Sequence, residues 1–281
     1  MSQISLGPFE PWLARWHLVP DGPPFRTHAS RLLPVLQGGA PAMLKLPEAE
    51  DERLGYRLLA WWGGDGAARL IAQAGEGSAM LIERATGPVS LSAMARSGAK
   101  GDDEATAILC DAIAGLEKPR GPAPNGLIPL ETWFKDLFPT AAKHGGLLAR
   151  AATEANTLLP AQQDILPLHA DLHHDNVLDF ESRGWLAIDP KCVLGDRAFE
   201  YTILFCDPDL ADPEPAVAVA PGAFERRLEI VLAKSGLERQ RLLRWIIAWC
   251  GLSASWFLED DDPLAEINLT ILGKAAAALD V

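Results

Sequence analysis

The feature that most constrains this chain is the run H-A-D-L-H-H-D-N at residues 169–176, followed by A-I-D-P at 187–190. Four residues separate Asp171 from Asn176, and Asp189 ends the next short apolar run. The stretch through NVLDF and the stretch GWLAI read as two short strands joined by a tight E-S-R-G turn. A hairpin brings its open ends together, so Asp171, Asn176 and Asp189 should converge on one point. Two carboxylates and an amide oxygen meeting there suit phosphoryl transfer. Magnesium wants hard oxygen ligands in octahedral array, and Asp189 with the Asn176 amide oxygen supplies two beside a polyphosphate. Asp171 is then placed to accept a hydrogen bond from an attacking hydroxyl. In a loose transition state the proton moves late, so positioning is the larger contribution of that carboxylate.

The segments around this hairpin divide in two. Residues 1–28 are rich in Pro, Trp and Gly and show no clear period. SRLLPVLQ (30–37) and PAMLKL (41–46) read as strands joined at Gly38-Gly39, and RLIAQ (69–73) and SAMLIE (78–83) as a further strand pair. Between the pairs, the acidic residues Glu48 to Glu52 open a helix that runs to about Trp62 and stops at Gly63-Gly64. After Arg84 helical spacing takes over. Ile108, Leu109, Ala112, Ile113 and Leu116 share a face, with Asp102 or Asp103 as N-cap. ETWFKDLF, the stretch 140–159 and LERQRLLRWIIAWCGLSASWFL continue as helices. The pattern predicts an α+β chain with a small mixed lobe over 1–84 and a mainly helical lobe over 85–281.

Charge and motif content exclude several classes. A net charge of -13 repels nucleic acid and anionic membranes, over a Debye length of about 8 Å at physiological salt. Four scattered cysteines without C-x-x-C fit neither a zinc knuckle nor a disulfide framework and point to a reducing cytoplasm. MSQISLGPFEPW lacks the basic-then-apolar order of a signal peptide, and WIIAWCGLSASWFL is too short and mixed to span a bilayer. No G-x-x-x-x-G-K-[ST] or G-x-S-x-G occurs, and GGDG at 63–66 follows a helix rather than a strand. His169 and His173, four apart beside Asp171 and Asp175, raise a zinc hydrolase as an alternative. Zinc pairs of that spacing sit on helices, whereas this segment is a loop entering a strand. His169 is therefore expected to pack beneath the loop, and His173 and His174 to line the substrate side.

The motif pair H-x-D-L-H-x-D-N and I-D-P resembles the catalytic loop and metal segment of the aminoglycoside phosphotransferase superfamily, which shares the bilobal protein-kinase-like fold. LHADLHHDNVL, GWLAIDPK and GDRAFE most resemble its streptomycin 6-kinase and hydroxyurea phosphotransferase family. MLKL (43–46), GGDGAARL (63–70), LIER (81–84) and the region of Trp133-Phe134 extend the similarity from about residue 30 onward. The resemblance implies that Lys45 pairs with the α- and β-phosphates of ATP. It implies that Glu83 and Arg84 mark the hinge where adenine meets the backbone, and that Asp196 braces the catalytic loop. The lysine's usual glutamate partner falls, by register, on Gly55, and Glu52 one turn earlier is the substitute.

Together these readings predict a cytoplasmic kinase using ATP and Mg2+. It moves the γ-phosphoryl group to a hydroxyl of a small molecule, an aminoglycoside of streptomycin type, as in antibiotic resistance. A small-metabolite kinase of the same fold and a catalytically silent nucleotide-binding protein are the alternatives. The acceptor is expected to be cationic and to meet the acidic run Glu259 to Asp262 after the Trp-rich helix.

Overall fold

The computed structural model describes residues 6–27 and 29–281, with Glu50 and Asp51 described by backbone alone. Its first part runs α1 (Glu10–Trp16), β1 (Leu18–Pro20), β2 (Phe25–Arg26), β3 (Ser30–Gln37), β4 (Ala40–Pro47), α2 (Glu50–Leu54), α3 (Tyr56–Trp62), β5 (Leu70–Ala74) and β6 (Ala79–Glu83). Gly38 and Gly39 both take positive φ, which lets β3 fold directly back on β4. The sheet order is β1-β3-β4-β6-β5, with β2 also on β3, and every pairing is antiparallel. Alternation along β3 and β4 buries Leu33, Val35, Ala42 and Leu44 against Phe9 and Leu18 of the N-terminal segment. Lys45 follows Leu44 and so emerges on the other face of the sheet.

The second part holds α4 (Leu91–Ala95), α5 (Ala99–Leu116), β7 (Ile128–Pro129), α6 (Leu130–Trp133), α7 (Leu137–His144) and α8 (Gly146–Leu158). It continues with β8 (Leu166–Leu168), β9 (Val177–Asp179), β10 (Trp185–Ala187), β11 (Val193–Gly195), α9 (Ala223–Ser235), α10 (Arg239–Glu259) and α11 (Ala265–Leu279). Residues Trp245 to Ser255 of α10 are all buried, which makes it the central helix, packed on α8 and α11. Trp245 sits 5.9 Å from Phe134 and 5.8 Å from Phe199, ring centre to ring centre. Four free, buried cysteines complete this core, with the Cys206 and Cys250 sulfurs 3.7 Å apart.

Several local expectations are corrected. The stretch from Glu48 to Trp62 is two helices meeting at Gly55. A Cβ on Gly55 would stand 2.6 Å from the Pro190 carbonyl oxygen, so the Asp189–Pro190 segment presses on the backbone at the break. Helix α5 starts at Ala99 behind Gly98, and Asp102 is not its N-cap. Asp102 is instead buried inside the first turn, where Arg227 forks onto it. The aperiodic N-terminal stretch carries α1, β1 and β2, while residues 1–5 of the segment read for a signal peptide lie outside the described residues. Among the described residues no helix is long and apolar enough to cross a membrane.

Candidate active site

Strands β9 and β10 pair antiparallel, Val177 opposite Ala187, and the ladder continues as Ile188 N–H donates to Asn176 O at 2.9 Å. This is the predicted hairpin, and it sets Asn176 beside Asp189. His169 ties the catalytic loop to the same segment. Its Nε2 donates to Ile188 O at 2.6 Å, its Nδ1 accepts from Asp171 N–H at 3.3 Å, and its carbonyl accepts from Lys191 N–H at 2.9 Å. Burial pushes this imidazole down to about 3, so the ring is a neutral strut. Both nitrogens are engaged in hydrogen bonds rather than free for zinc, and no group of three or more His, Cys, Asp or Glu side chains is arranged around a metal position among the described residues.

Two further contacts hold the loop. The Asn176 side-chain amide donates to Asp171 O at 2.8 Å, leaving its own oxygen for the cleft. The buried Glu200 accepts Ala170 N–H at 3.2 Å, and burial lifts its carboxyl to about 8. Glu200 therefore does the bracing assigned to Asp196. Asp196 accepts instead from Gln163 N–H and Ala198 N–H at 2.8 and 2.9 Å and pairs with Arg241. Ala170 and Asp189 both have positive φ, 61° and 64°, unusual for residues with a Cβ. Such strain is characteristic of residues whose side chains must be aimed.

From the sheet side, the buried Lys45 ammonium pairs with both Glu52 and Asp189. Glu52 also pairs with Lys191, and Lys191 Nζ lies 3.7 Å from Asp171 Oδ2. The cleft thus contains an alternating chain: Asp189, Lys45, Glu52, Lys191, Asp171. Burial alone would raise the Glu52 carboxyl, but Lys45 and Lys191 outweigh it and hold it down at about 2. Burial raises Asp171, against the opposing pull of His173 and Lys191. Glu52, not the position of Gly55, takes the lysine. The carboxylate and amide oxygens of Asp189 and Asn176 are the hard donors that magnesium prefers, so the residues present fit that ion.

Glu83 and Arg84 stand apart from this chain. Glu83 pairs with Arg183 and Arg84 with Asp21. Their backbone N–H groups go to Arg69 O and Pro41 O.

On the far side of Asp171 a cavity of about 380 Å³ opens into the helical part. Trp133, Trp249, Trp256 and Phe257 wall it, and Asp171, His173, Lys191 and Asp207 line its polar side. Burial pushes the His173 imidazole down, but Asp207, Asp171 and Asp175 outweigh it and hold it above its ordinary value. His174 is not on this surface; it is buried beneath. Nor is the acidic run Glu259 to Asp262 among the lining residues. It forms the turn between α10 and α11, where Asp262 accepts Leu264 N–H at 2.9 Å. Lys191, Glu200 and Asp207 were missed as site residues. Lys191 had a signal in its place directly after I-D-P, whereas Glu200 and Asp207 reach the site only through tertiary folding.

Residues 15–261 match the family model described as aminoglycoside/hydroxyurea antibiotic resistance kinase. A streptomycin 3''-kinase of Klebsiella pneumoniae is 52% identical over 271 residues, covering 95% of this chain and 100% of that protein. A streptomycin 6-kinase of Streptomyces griseus is 31% identical, covering 88% of this chain and 80% of its own. Among solved structures, aminoglycoside phosphotransferase APH(4)-Ia superposes with a TM-score of 0.60 at 14% identity, covering 98% of this chain and 99% of that one. At that identity the likeness speaks for the fold, which is the bilobal kinase-like one. The hairpin-borne carboxylates, the buried lysine and a family match over most of the length agree: the chain belongs to the aminoglycoside/hydroxyurea antibiotic resistance kinase family.

Proposed function

We propose that this protein transfers the γ-phosphoryl group of ATP to a hydroxyl of a streptomycin-type aminoglycoside. The observation that carries the reading is the placement of Asp171 between the Lys45–Glu52–Asp189 chain on one side and the 380 Å³ aromatic cavity on the other. A nucleotide on the first side and an acceptor on the second would meet at that carboxylate. The 52% identity to a streptomycin kinase over its full length selects the acceptor class.

Residues 1–84 form the nucleotide lobe and residues 85–281 the lobe that carries the catalytic loop and acceptor cavity. Lys45 steadies the α- and β-phosphates, held in place by Glu52. At the hinge the N–H groups of Glu83 and Arg84 are already bonded, so adenine would meet backbone carbonyls there rather than these N–H groups or side chains. Asp189 and Asn176 would hold Mg2+, which neutralises charge on the phosphate oxygens. Asp171 accepts the hydrogen bond of the acceptor hydroxyl and aligns it with the phosphorus. As the new P–O bond forms and the bond to ADP breaks, the hydroxyl proton passes to that carboxylate. His169, Glu200 and Asn176 fix the loop, so little reorganisation remains for the chemical step.

The test is transfer of labelled γ-phosphate to a panel of aminoglycosides and small metabolites, with the phosphorylated position read by NMR. Streptomycin is expected to lead the panel. Asp171→Asn should lower turnover by roughly 10²–10⁴-fold, the usual worth of a positioned acid or base, with ATP affinity nearly unchanged. Loss of ATP binding in that variant, or a preference for a neutral metabolite, contradicts the proposal.

A further inference from the structure

The buried carboxylates of this protein are nearly all matched. Asp102 has Arg227, Glu52 has two lysines, Glu154 has Arg150 and Arg244, and Asp209 accepts Val217 and Val219 N–H. Asp207 is different. Its side chain is 5% exposed, and its one ion-pair neighbour among the described residues, His173 Nδ1, stands 3.9 Å away. That is beyond hydrogen-bond reach. Among the described residues no donor bonds its carboxylate, although Arg227 bonds its backbone carbonyl at 2.6 Å. A carboxylate withdrawn from water without donors is costly to hold ionised, and burial lifts this one to about 6. The charged groups facing it are His173, Asp171 and Asp175 from the loop and Arg227 from α9. Asp207 nonetheless lines the cavity, and the walls there are indole rings.

A carboxylate that accepts no hydrogen bond from the described residues and shares a cavity lining with indole rings has a definite complement. A guanidinium group presents two parallel N–H donors to a carboxylate and a flat, weakly hydrated face to an indole. We infer that Asp207, with Trp249 and Trp256, forms a guanidinium-binding subsite that anchors the acceptor beside Asp171. The inference rests on the proposed acceptor class and sharpens it: cation recognition lies within the cavity, and a planar cation is preferred over a neutral group of the same shape. No part of it uses the acidic run at the end of α10.

Wild type and Asp207→Asn are titrated calorimetrically, without nucleotide, with the diguanidino cyclitol that forms the basic ring of streptomycin and with its neutral bis-urea analogue. Wild type should bind the cation. The variant should bind it at least roughly tenfold more weakly, as loss of a charge-assisted bond predicts. The urea analogue should not distinguish the two proteins. Thermal melting is a second measure: removing an unmatched charge should leave the variant at least as stable as wild type. Equal cation binding by both proteins, no cation binding by wild type, or a variant that melts several degrees lower or fails to fold overturns the inference. Phosphotransfer to streptomycin is followed in parallel. Wild type that binds the cyclitol cation but does not phosphorylate streptomycin leaves the subsite standing and refutes the functional reading. Transfer with an unchanged KM in Asp207→Asn does the reverse.

Discussion

Glu52 carries two lysines on one carboxylate, and each leads to a further carboxylate of the candidate site: Lys45 reaches Asp189, and Lys191 approaches Asp171. Removing the charge while keeping the shape, as in Glu52→Gln, takes a carboxylate partner from the buried Lys45 and from the half-buried Lys191, leaving Lys45 to Asp189 and weakening the hold on both. Breaking a buried pair from one side costs about 3–5 kcal/mol, so a clear fall in Tm is expected at neutral pH. The pH dependence has a definite sign. The folded-state value near 2 lies below the ordinary 4.5, so the ionised carboxylate stabilises the protein above 4.5 and that contribution fades as pH falls toward 2. Melting curves of both proteins should therefore converge between those values. A gap that is constant or widens on acidification would show that the two lysines do not depend on this charge. That Asp171, Asn176 and Asp189 lie together was legible in the spacing around one hairpin, whereas Lys45, which the fold brings to Asp189, was singled out by family resemblance. Glu200 and Asp207 were not: each acquires its role from a neighbour that the chain path alone does not disclose.

At the scale of elements, the junction of α2 and α3 matters most. Glycine is required at this break because the Pro190 carbonyl occupies the space of a side chain there. Gly55→Ala must push α2 away from the metal segment. Overpacking of this kind costs roughly 1–3 kcal/mol, and here it would also displace Glu52, three residues earlier. The expected result is a modest loss of Tm with a larger loss of kcat/KM; a variant with full activity would mean the contact is incidental. The strands of the small lobe could be read in advance from alternation and from Gly38-Gly39. The need for glycine at the two-helix break could not, since the group that demands it lies about 135 residues away in sequence, from Gly55 to Pro190. Strands β1 and β2, of three and two residues, are too short to show a period at all.

The whole molecule carries a charge of -13. Such a charge draws cations toward the protein over distances that shrink from about 10 Å at 0.1 M salt to about 3 Å at 1 M. KM for a cationic acceptor should rise with salt while kcat stays steadier. Neutralising Asp260 to Asp262 should alter KM little, since those residues line no part of the cavity. A KM indifferent to salt would restrict recognition to short-range contacts.

The thiols add a property of a different kind. All four are buried, and burial raises Cys110 to about 12 and Cys192 to about 11. At neutral pH Cys110 and Cys192 therefore offer alkylating reagents almost no thiolate, the species that reacts. Modification has to wait for the chain to open, so its rate becomes a clock for opening events. Cys192 lies directly behind the Asp189–Lys191 segment, whereas Cys110 sits in the middle of α5. Mass-resolved labelling with iodoacetamide should then separate breathing of the cleft from unfolding of the helical core, and ATP with magnesium should slow the first clock far more than the second.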